Sequence, residues 1–136
     1  MKITIVQGPF LPVPPLLGGA AEKAWFGLGQ AFAAAGHEVL HLSRALQGLP
    51  AEELIAAVHH RRLPSRDAAP SLAVRLLLDL CYSRRVLRAL PKADILVTNT
   101  FWLPILNRGI DKGVPYVHVA RYPKGQLKYY GKHAIL

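Results

Sequence analysis

The chain has 136 residues, a formal net charge of +9 and an apolar content of 51%. This length and composition predict one folded domain of ordinary size and exclude an intrinsically disordered chain. The charge favours an anionic partner such as nucleic acid, acidic lipid or a phosphorylated small molecule. The one cysteine, Cys81, excludes an internal disulfide, and we expect it to be a small buried hydrophobe in a reducing compartment.

The first half of the chain predicts a strand, a helix and a second strand. The first strand covers 2–6, and a Pro-rich loop separates it from Gly18 and Gly19. A helix is expected over 22–35 and ends at Gly36, with an apolar face made of Trp25, Leu28, Phe32 and Ala35. Gly27 and Gly29 weaken this helix and would allow it to lie close to a sheet. A second strand is expected over 38–42.

The second half continues the alternation of strands and helices. We expect a short strand over 58–63, a helix from Ser71 to Leu90, a strand over 94–98, a short helix over 103–110 and a strand over 115–119. The apolar face of the long helix is expected to contain Leu72, Leu76, Leu80, Ser83, Leu87 and Leu90. The last residues, which end in HAIL, predict a further helix. This order predicts an α/β, Rossmann-like, three-layer domain with a mostly parallel sheet.

The glycine pair Gly18-Gly19 lies at the predicted functional edge of this sheet. In an open parallel sheet, ligands bind outside the carboxyl ends of the strands. The pair precedes a helix start, where free backbone N–H groups and the helix dipole attract anions, so it predicts contact with a phosphate. The alternative is that the two glycines only make a turn, since their spacing matches neither G-x-G-x-x-G nor a Walker A loop.

Other strand ends are expected at the same edge, at 7–8, 43–44, 99–102 and 120–122. Asn99 and Thr100 offer neutral hydrogen bonds, and Phe101 offers an apolar or stacking wall. In the alternative interpretation, Phe101 and Trp102 belong to the core under the following helix. Arg121 opens a basic segment without acids, and a guanidinium binds a phosphate or carboxylate through two parallel hydrogen bonds. The alternative for Lys128 and Lys132 is a solvated basic helix face.

The segment His37–His41 spells HEVLH, which matches the zinc signature H-E-x-x-H. That chemistry needs a helix, in which residues four apart share a face. Gly36 ends the predicted helix one residue earlier, and residues four apart on a strand are about 13 Å apart. We therefore predict no metal site here. His118 is predicted in mid-strand, either as a core histidine or as a side chain that reaches the functional edge.

Three stretches together resemble the N-terminal domain of a family 4 glycosyltransferase, which is one half of the two-domain GT-B architecture. They are MKITIVQGPFLPVPPLLGGAAEKAWFGLGQAFAAAGHEVLHLSR, ADILVTNTFWLPIL and VPYVHVARYPKGQLKYYGKHA. The resemblance implies that residues 1–136 form the acceptor-side domain. It also implies that the C-terminal nucleotide-sugar domain, which carries paired glutamates in the family, is absent from this chain, which is expected to be inactive alone.

The resemblance also implies roles for individual residues. Gly18 and Gly19 match a glycine loop near the donor phosphates, and His118 lies close to a position that often holds a histidine in the family, which makes it the candidate catalytic residue. The implied acceptor-binding residues are Asn99, Thr100, Phe101, Arg121 and Lys124. The implied co-substrate is a nucleotide sugar and the acceptor is a hydroxyl, with no metal and no other cofactor. The basic charge suits an anionic or lipid-linked acceptor and a cytoplasmic protein that contacts the inner face of the membrane.

Two other functions remain open. The first is a non-enzymatic basic Rossmann-like module that binds nucleic acid or anionic lipid. The second is a dinucleotide-binding domain, which is disfavoured because the second strand is followed by Ser43 and Arg44 instead of an acid for the ribose hydroxyls. Arg44 would still tolerate a 2′-phosphate.

Overall fold

The structure is a computed structural model that describes residues 1–120, 125–131 and 134–135 of the chain. Its strands are β1 (Lys2–Val6), β2 (Glu38–Arg44), β3 (Glu52–Ile55), β4 (Val58–Leu63), β5 (Ile95–Thr98), β6 (Val114–Val117) and β7 (Ala134–Ile135). Its helices are α1 (Ala20–Ala34), α2 (Leu72–Ala89) and α3 (Leu103–Leu106), and a 3₁₀ turn covers Gln126–Tyr129. Each element predicted between residues 2 and 119 is present, with several ends shifted.

Within the described residues the strands form one seven-stranded sheet in the order β3-β4-β2-β1-β5-β6-β7. Every neighbouring pair is parallel except β3 and β4, which form an antiparallel hairpin at one edge. α1 packs on one face of the sheet and α2 on the other. The predicted fold, a Rossmann-like three-layer α/β domain with a mostly parallel sheet, is therefore confirmed.

The strand order reverses at β1, and this reversal positions the candidate site. The chain leaves β1 through α1 towards β2 and β4, and then returns through α2 to β5 on the other side of β1. The loops that follow β1 and β5 therefore lead away from each other. A crevice opens between them at the carboxyl ends of the strands, which is where open α/β sheets bind ligands.

Two apolar clusters hold the helices on the sheet. Successive side chains of a strand point to opposite faces, so Ile5 faces α1 and Val6 faces α2. The cluster under α1 contains Ile3, Ile5, Trp25, Val39, Val58 and Val97, and the cluster under α2 contains Val6, Leu42, Tyr82, Val86, Leu90, Leu96 and Leu103. A sheet covered on both faces requires apolar residues at consecutive positions, which explains the apolar runs in these strands.

The buried face of α1 differs from the predicted one. Trp25 is buried as expected, but Leu28 is 41% exposed and Ala35 is exposed beyond the last helical residue. The positions that face inward are those of Glu22, Trp25 and Gly29. The predicted stripe is therefore confirmed at Trp25 and at Phe32, which packs against the cluster under α1, and is wrong at Leu28 and Ala35, because a glycine and an acid occupy two of the inward positions.

The buried face of α2 is also rotated from the predicted one. Ser83 and Leu90 are buried and Leu87 packs against the core cluster, as predicted, but the other buried positions are those of Asp79, Tyr82 and Val86. Leu72 is 71% exposed and Cys81 is exposed, so the prediction that both are buried was wrong. Cys81 follows Asp79 by two residues, which places it about 200° around the helix from this inward side chain.

Two strands were not predicted. β3 joins β4 through Ala56 and Ala57, whose φ values are 47° and 64°, so the turn lacks the Asn-Gly or Gly-Gly pair that signals a hairpin. β7 pairs with β6 where a further helix was expected, so that prediction was wrong. Gly125 and Gly131, at φ 77° and 61°, bracket the only helical turn described in this region.

Candidate functional site

A cleft of about 690 Å³ lies at the crevice between the carboxyl ends of β1 and β5. Its walls come from the loop after β1, the start of α1, the first half of α2 and the segments that follow β5 and β6. Five of the predicted site residues line this one space, namely Gly19, Asn99, Thr100, Phe101 and His118, whereas Gly18 is not a lining residue. The expected convergence of strand ends at one edge is therefore seen for these residues, while their roles in binding stay predictions.

A pair of side-chain amides joins the ends of β1 and β5 beside the cleft, where Asn99 is a lining residue and Gln7 is not. Asn99 Nδ2 donates a hydrogen bond of 2.8 Å to Gln7 Oε1, across the junction of β1 and β5. Gln7 is fully buried and its Nε2 has no partner, and Asn99 Oδ1 is also buried without a partner. The pair therefore keeps one donor and one acceptor unused. Gln7 was expected here only as a strand end, and its pairing with Asn99 was not predicted.

Gly18 and Gly19 form the turn into α1 with φ values of 87° and 97°, which favour glycine. A Cβ on Gly19 would lie 2.1 Å from Glu22 Oε2. The buried carboxylate of Glu22 therefore lies against the amino end of α1, where negative charge is stabilised by the helix dipole. Any phosphate that approaches this glycine would meet that carboxylate.

Asp79 is a second acid in the cleft wall, and it was not predicted as a site residue. Its carboxylate accepts hydrogen bonds from the backbone N–H groups of Phe101 and Trp102, at 3.2 Å each, and from Ser83 Oγ at 2.9 Å. Burial raises the pKa of the Asp79 carboxyl, and these hydrogen bonds oppose the rise. Asp79 thereby fixes the segment that follows β5. A single acid in the middle of an apolar helix was the sequence signal that could have identified it.

Phe101 gives the cleft an aromatic wall. Its ring contacts those of Trp102 and Tyr130 edge-on, with centroid distances of 5.2 Å and 6.4 Å. Trp102 Nε1 donates to the Leu76 carbonyl at 2.9 Å, so Trp102 is attached to α2 and lies behind the wall. Phe101 and Tyr130 line the cleft itself.

Thr100 and His118 complete the part of the wall between β5 and β6. The Thr100 hydroxyl lies 3.0 Å from the Thr98 hydroxyl, and the two hydroxyls form a hydrogen bond within the turn. The His118 N–H donates to the Thr98 carbonyl at 2.8 Å, and the His118 ring contacts Trp25 at a centroid distance of 5.6 Å. His118 Nδ1 is buried without a partner. His118 follows the end of β6 and lines the cleft, so of its two predicted positions the structure shows the one at the edge.

The predicted cationic residues Arg121 and Lys124 lie outside the described residues. Within the described lining, Arg75 is the one Lys or Arg side chain, and its Nε donates to the Ala69 carbonyl. Arg44, at the end of β2, is engaged with the Phe10 carbonyl at 3.0 Å and with Asp67 at 2.8 Å. These bonds tie Arg44 into the loops, which further disfavours a dinucleotide-binding role.

A second group of buried polar side chains lies between β2, β4 and α1. The rings of His41 and His60 stack at a centroid distance of 5.2 Å, and no nitrogen of either ring has a hydrogen-bond partner. Burial is the main cause that lowers the pKa of His41 to about 3 and that of His60 to about 4, and the positive charge of Arg62 lowers both further. Both rings are therefore neutral at neutral pH.

The HEVLH segment runs from the turn after α1 into β2, so the strand geometry predicted for it is confirmed. Among the described residues, no three His, Cys, Asp or Glu side chains are placed to hold a metal ion. No helix in the same part of the chain has both the length and the apolar character to cross a membrane.

No protein-family model matches the chain, and no curated protein matches it in sequence. Solved structures match its fold. Sucrose-phosphate synthase from Thermosynechococcus elongatus superposes on 97% of this chain with a TM-score of 0.69 and 17% identity. The catalytic domain of starch synthase IV from Arabidopsis thaliana, bound to ADP and acarbose, superposes on 96% with a TM-score of 0.63 and 12% identity.

The chain spans 35% and 37% of the length of these two solved chains. At such low identity the likeness concerns the fold. It agrees with the predicted Rossmann-like domain of the kind found in GT-B glycosyltransferases.

Proposed function

We propose that this chain is the acceptor-side domain of a glycosyltransferase that moves a sugar from a nucleotide-sugar donor to a hydroxyl group of an acceptor. The observation that carries the proposal is the cleft at the β1–β5 junction, in which the Asn99 amide, the buried carboxylates of Glu22 and Asp79 and an aromatic wall share one space. A small number of placed polar groups beside aromatic rings is the composition expected of a pocket that orients a polar ring-shaped ligand. The fold likeness to two sugar-transfer enzymes supports this assignment, and the family 4 type rests on the sequence resemblance.

In this proposal the acceptor lies against Asn99, Phe101 and His118. His118 brings an imidazole to the cleft, and an imidazole within reach of an acceptor hydroxyl can take its proton as the sugar is transferred. Gly18 and Gly19 face the donor phosphates, which must lie clear of the Glu22 carboxylate against Gly19 and whose charge is stabilised by protein groups without a metal. The donor itself is bound by a second domain, so we expect no sugar transfer by residues 1–136 alone.

The proposal is tested by titrating the ¹⁵N-labelled chain with glucose, maltose, UDP-glucose and ADP-glucose. We expect the sugars to shift the backbone NMR signals of Phe101 and His118. Phe101→Ala should weaken sugar binding by about threefold to tenfold, which corresponds to the loss of one aromatic contact. Tyr129→Ala is the matched control, because Tyr129 is an exposed aromatic residue outside the cleft lining. Absence of any shift with all four ligands would contradict the proposal.

The alternative function, a basic binding module, is favoured by the outer face of α2. Arg84, Arg85 and Arg88 are exposed there, and the one acid of this helix, Asp79, is buried. The same face supports the anionic or lipid-linked acceptor and the membrane contact expected from the sequence. Binding of duplex DNA or of phosphatidylserine vesicles that falls steeply with salt, without any response to sugars, would establish the alternative.

A further inference from the structure

We infer that the cleft takes an acceptor that carries a protonated amine, and that the carboxylate of Glu22 binds this amine. The inference rests on the proposed function, since it names the chemical class of the acceptor. It differs from the anionic acceptor expected from the net charge, because it depends on the groups that line the cleft and not on the charge of the outer surface.

The described lining of the cleft contains two carboxylates, and they differ in how they are satisfied. Asp79 accepts hydrogen bonds from Ser83 and from two backbone N–H groups. Glu22 is only 7% exposed, yet its carboxylate forms no hydrogen bond and no ion pair within the described residues. Buried charged groups in folded proteins are paired, so an unpaired carboxylate in a cleft indicates a ligand that supplies the partner.

A ligand in the cleft can reach this carboxylate. Glu22 and Gly19 both line the cleft. Among the described residues, the fully buried polar atoms that lack a partner all belong to other side chains, so the unpaired oxygens of Glu22 reach accessible surface. This placement requires a glycine at position 19, since a Cβ there would overlap Glu22 Oε2. The carboxylate therefore lies at the wall of the cleft, beside bare backbone.

The helix dipole does not by itself explain a buried glutamate at this position. A glutamate in the first turn of a helix gains from the dipole, but it can do so with its carboxylate in solvent. Glu22 instead lies on the buried side of α1, together with Trp25 and Gly29. Its inward position brings the negative charge to the cleft.

The rest of the described lining favours a cation as the partner. Its one Lys or Arg side chain, Arg75, donates to the Ala69 carbonyl, so two carboxylates face one guanidinium that is turned to another group. Phe101 gives the same cleft an aromatic wall, and an aromatic ring attracts a cation. An ammonium group donates up to three hydrogen bonds and carries the complementary charge, whereas a hydroxyl supplies only a hydrogen bond.

The test compares glucose with its 2-amino-2-deoxy and 6-amino-6-deoxy derivatives and with N-acetylglucosamine. The ¹⁵N-labelled chain is titrated at about pH 7, where an amine is mostly protonated. We expect at least one amino sugar to bind about tenfold more tightly than glucose, the factor expected for one charge-assisted hydrogen bond. N-acetylglucosamine, whose nitrogen is neutral, should bind no more tightly than glucose. The net charge of +9 repels cations from the rest of the surface, so non-specific attraction would not produce this order.

A variant tests the role of the carboxylate itself. Glu22→Gln keeps the size of the side chain and removes its charge, so the ratio of the amino-sugar affinity to the glucose affinity should fall to about one. Glu38→Gln is the matched control and should keep the preference, because Glu38 is an exposed glutamate outside the cleft lining. If circular dichroism shows that Glu22→Gln does not fold, the side-chain ¹³C carboxyl signal of Glu22 in the wild type gives the same decision. It should shift with the amino sugar and not with glucose.

The outcomes distinguish this inference from the proposed function. Three results would overturn the inference and leave the sugar-binding function in place: equal affinity for glucose and both amino sugars, an amine preference that persists in folded Glu22→Gln, or an unshifted Glu22 carboxyl signal. No response to any sugar, amino sugar or nucleotide sugar overturns both. An amine preference that is lost in Glu22→Gln and kept in Glu38→Gln supports both.

Discussion

Two groups of buried polar side chains lie in this sheet, and they differ in access to solvent. His41 and His60 are closed between the sheet and α1, whereas Asn99 lines an open cleft and hydrogen-bonds to the buried Gln7. Both groups contain polar atoms without partners. Such an atom indicates recognition only where a ligand can reach it, and in a closed position it instead makes stability depend on protonation.

The largest expected effect is a loss of unfolding free energy at acid pH, and it is caused by the closed histidine pair. The pKa values of about 3 for His41 and about 4 for His60 lie below the ordinary value of 6.5, so the unfolded chain binds protons first as the pH falls. Stability is therefore complete above pH 6.5 and decreases towards pH 4 and below. We expect a loss on the order of 3 kcal/mol or more between pH 7 and pH 4, measured by urea unfolding.

His60→Phe isolates the contribution of this pair. It keeps an aromatic ring against His41 but removes a protonation site, so the pH dependence of unfolding should become clearly weaker. His59→Phe is the matched control, since His59 is the exposed neighbour on the same strand. Parallel pH curves for the wild type and both variants would show that the closed pair does not govern acid stability.

The next largest change in unfolding free energy is expected at Asp79, which lines the open cleft. Asp79→Ala removes the acceptor for the N–H groups of Phe101 and Trp102 and should cost about 2–3 kcal/mol, whereas Ser83→Ala removes one hydrogen bond and should cost about 1 kcal/mol. Asp79→Ala should also weaken sugar binding, because the segment with Phe101 loses its anchor. His60→Phe should leave sugar binding unchanged. Equal sugar affinity in Asp79→Ala and His60→Phe would contradict the proposed distinction between the open cleft and the closed histidine pair.

Much of the fold could be predicted because its signals are local. Apolar runs mark the strands, and Gly36 and Pro91 mark helix ends within one or two residues of where they occur. β3 was missed because Ala56 and Ala57 form its turn without the usual turn residues. The inward face of α2 was predicted at Ser83 and Leu90 but wrongly at Leu72, because the leucines of this helix are numerous enough to define more than one stripe.

The candidate site could be predicted only as a set of strand ends. Parallel strands bring their carboxyl ends to one edge, so Asn99, Phe101 and His118 could be grouped from their positions alone. The pairing of Gln7 with Asn99 joins residues 92 positions apart and depends on strand order, which the sequence pattern does not specify. Asp79 faces inward because it binds the segment that follows β5. This contact also joins residues that are far apart in the sequence.

A smaller effect is expected at the rim of the cleft, where Gly18 and Gly19 offer a matched pair. Both have positive φ, but a Cβ on Gly19 would meet Glu22 and Leu11, whereas nothing lies within 4 Å of a Cβ on Gly18. Gly18→Ala should therefore cost about 1 kcal/mol of unfolding free energy and Gly19→Ala about 2 kcal/mol. Adding Glu22→Ala should recover part of the Gly19→Ala loss. Equal costs for the two glycine variants would contradict the contact with Glu22.

The smallest effects are expected in α1, which covers the closed histidine pair. Gly27 faces solvent, and a Cβ on Gly29 would lie 3.5–3.8 Å from side-chain atoms of Ile5, Val39 and Val58, which is ordinary contact. Gly27→Ala and Gly29→Ala should therefore each stabilise the chain by about 0.5–1 kcal/mol in urea unfolding, since alanine favours a helix. Stabilisation by Gly27→Ala together with destabilisation by Gly29→Ala would show that the closed side has no room for a methyl group. In that case the glycine is required for close packing of α1 on the sheet, and the closed region is held more tightly than the open one.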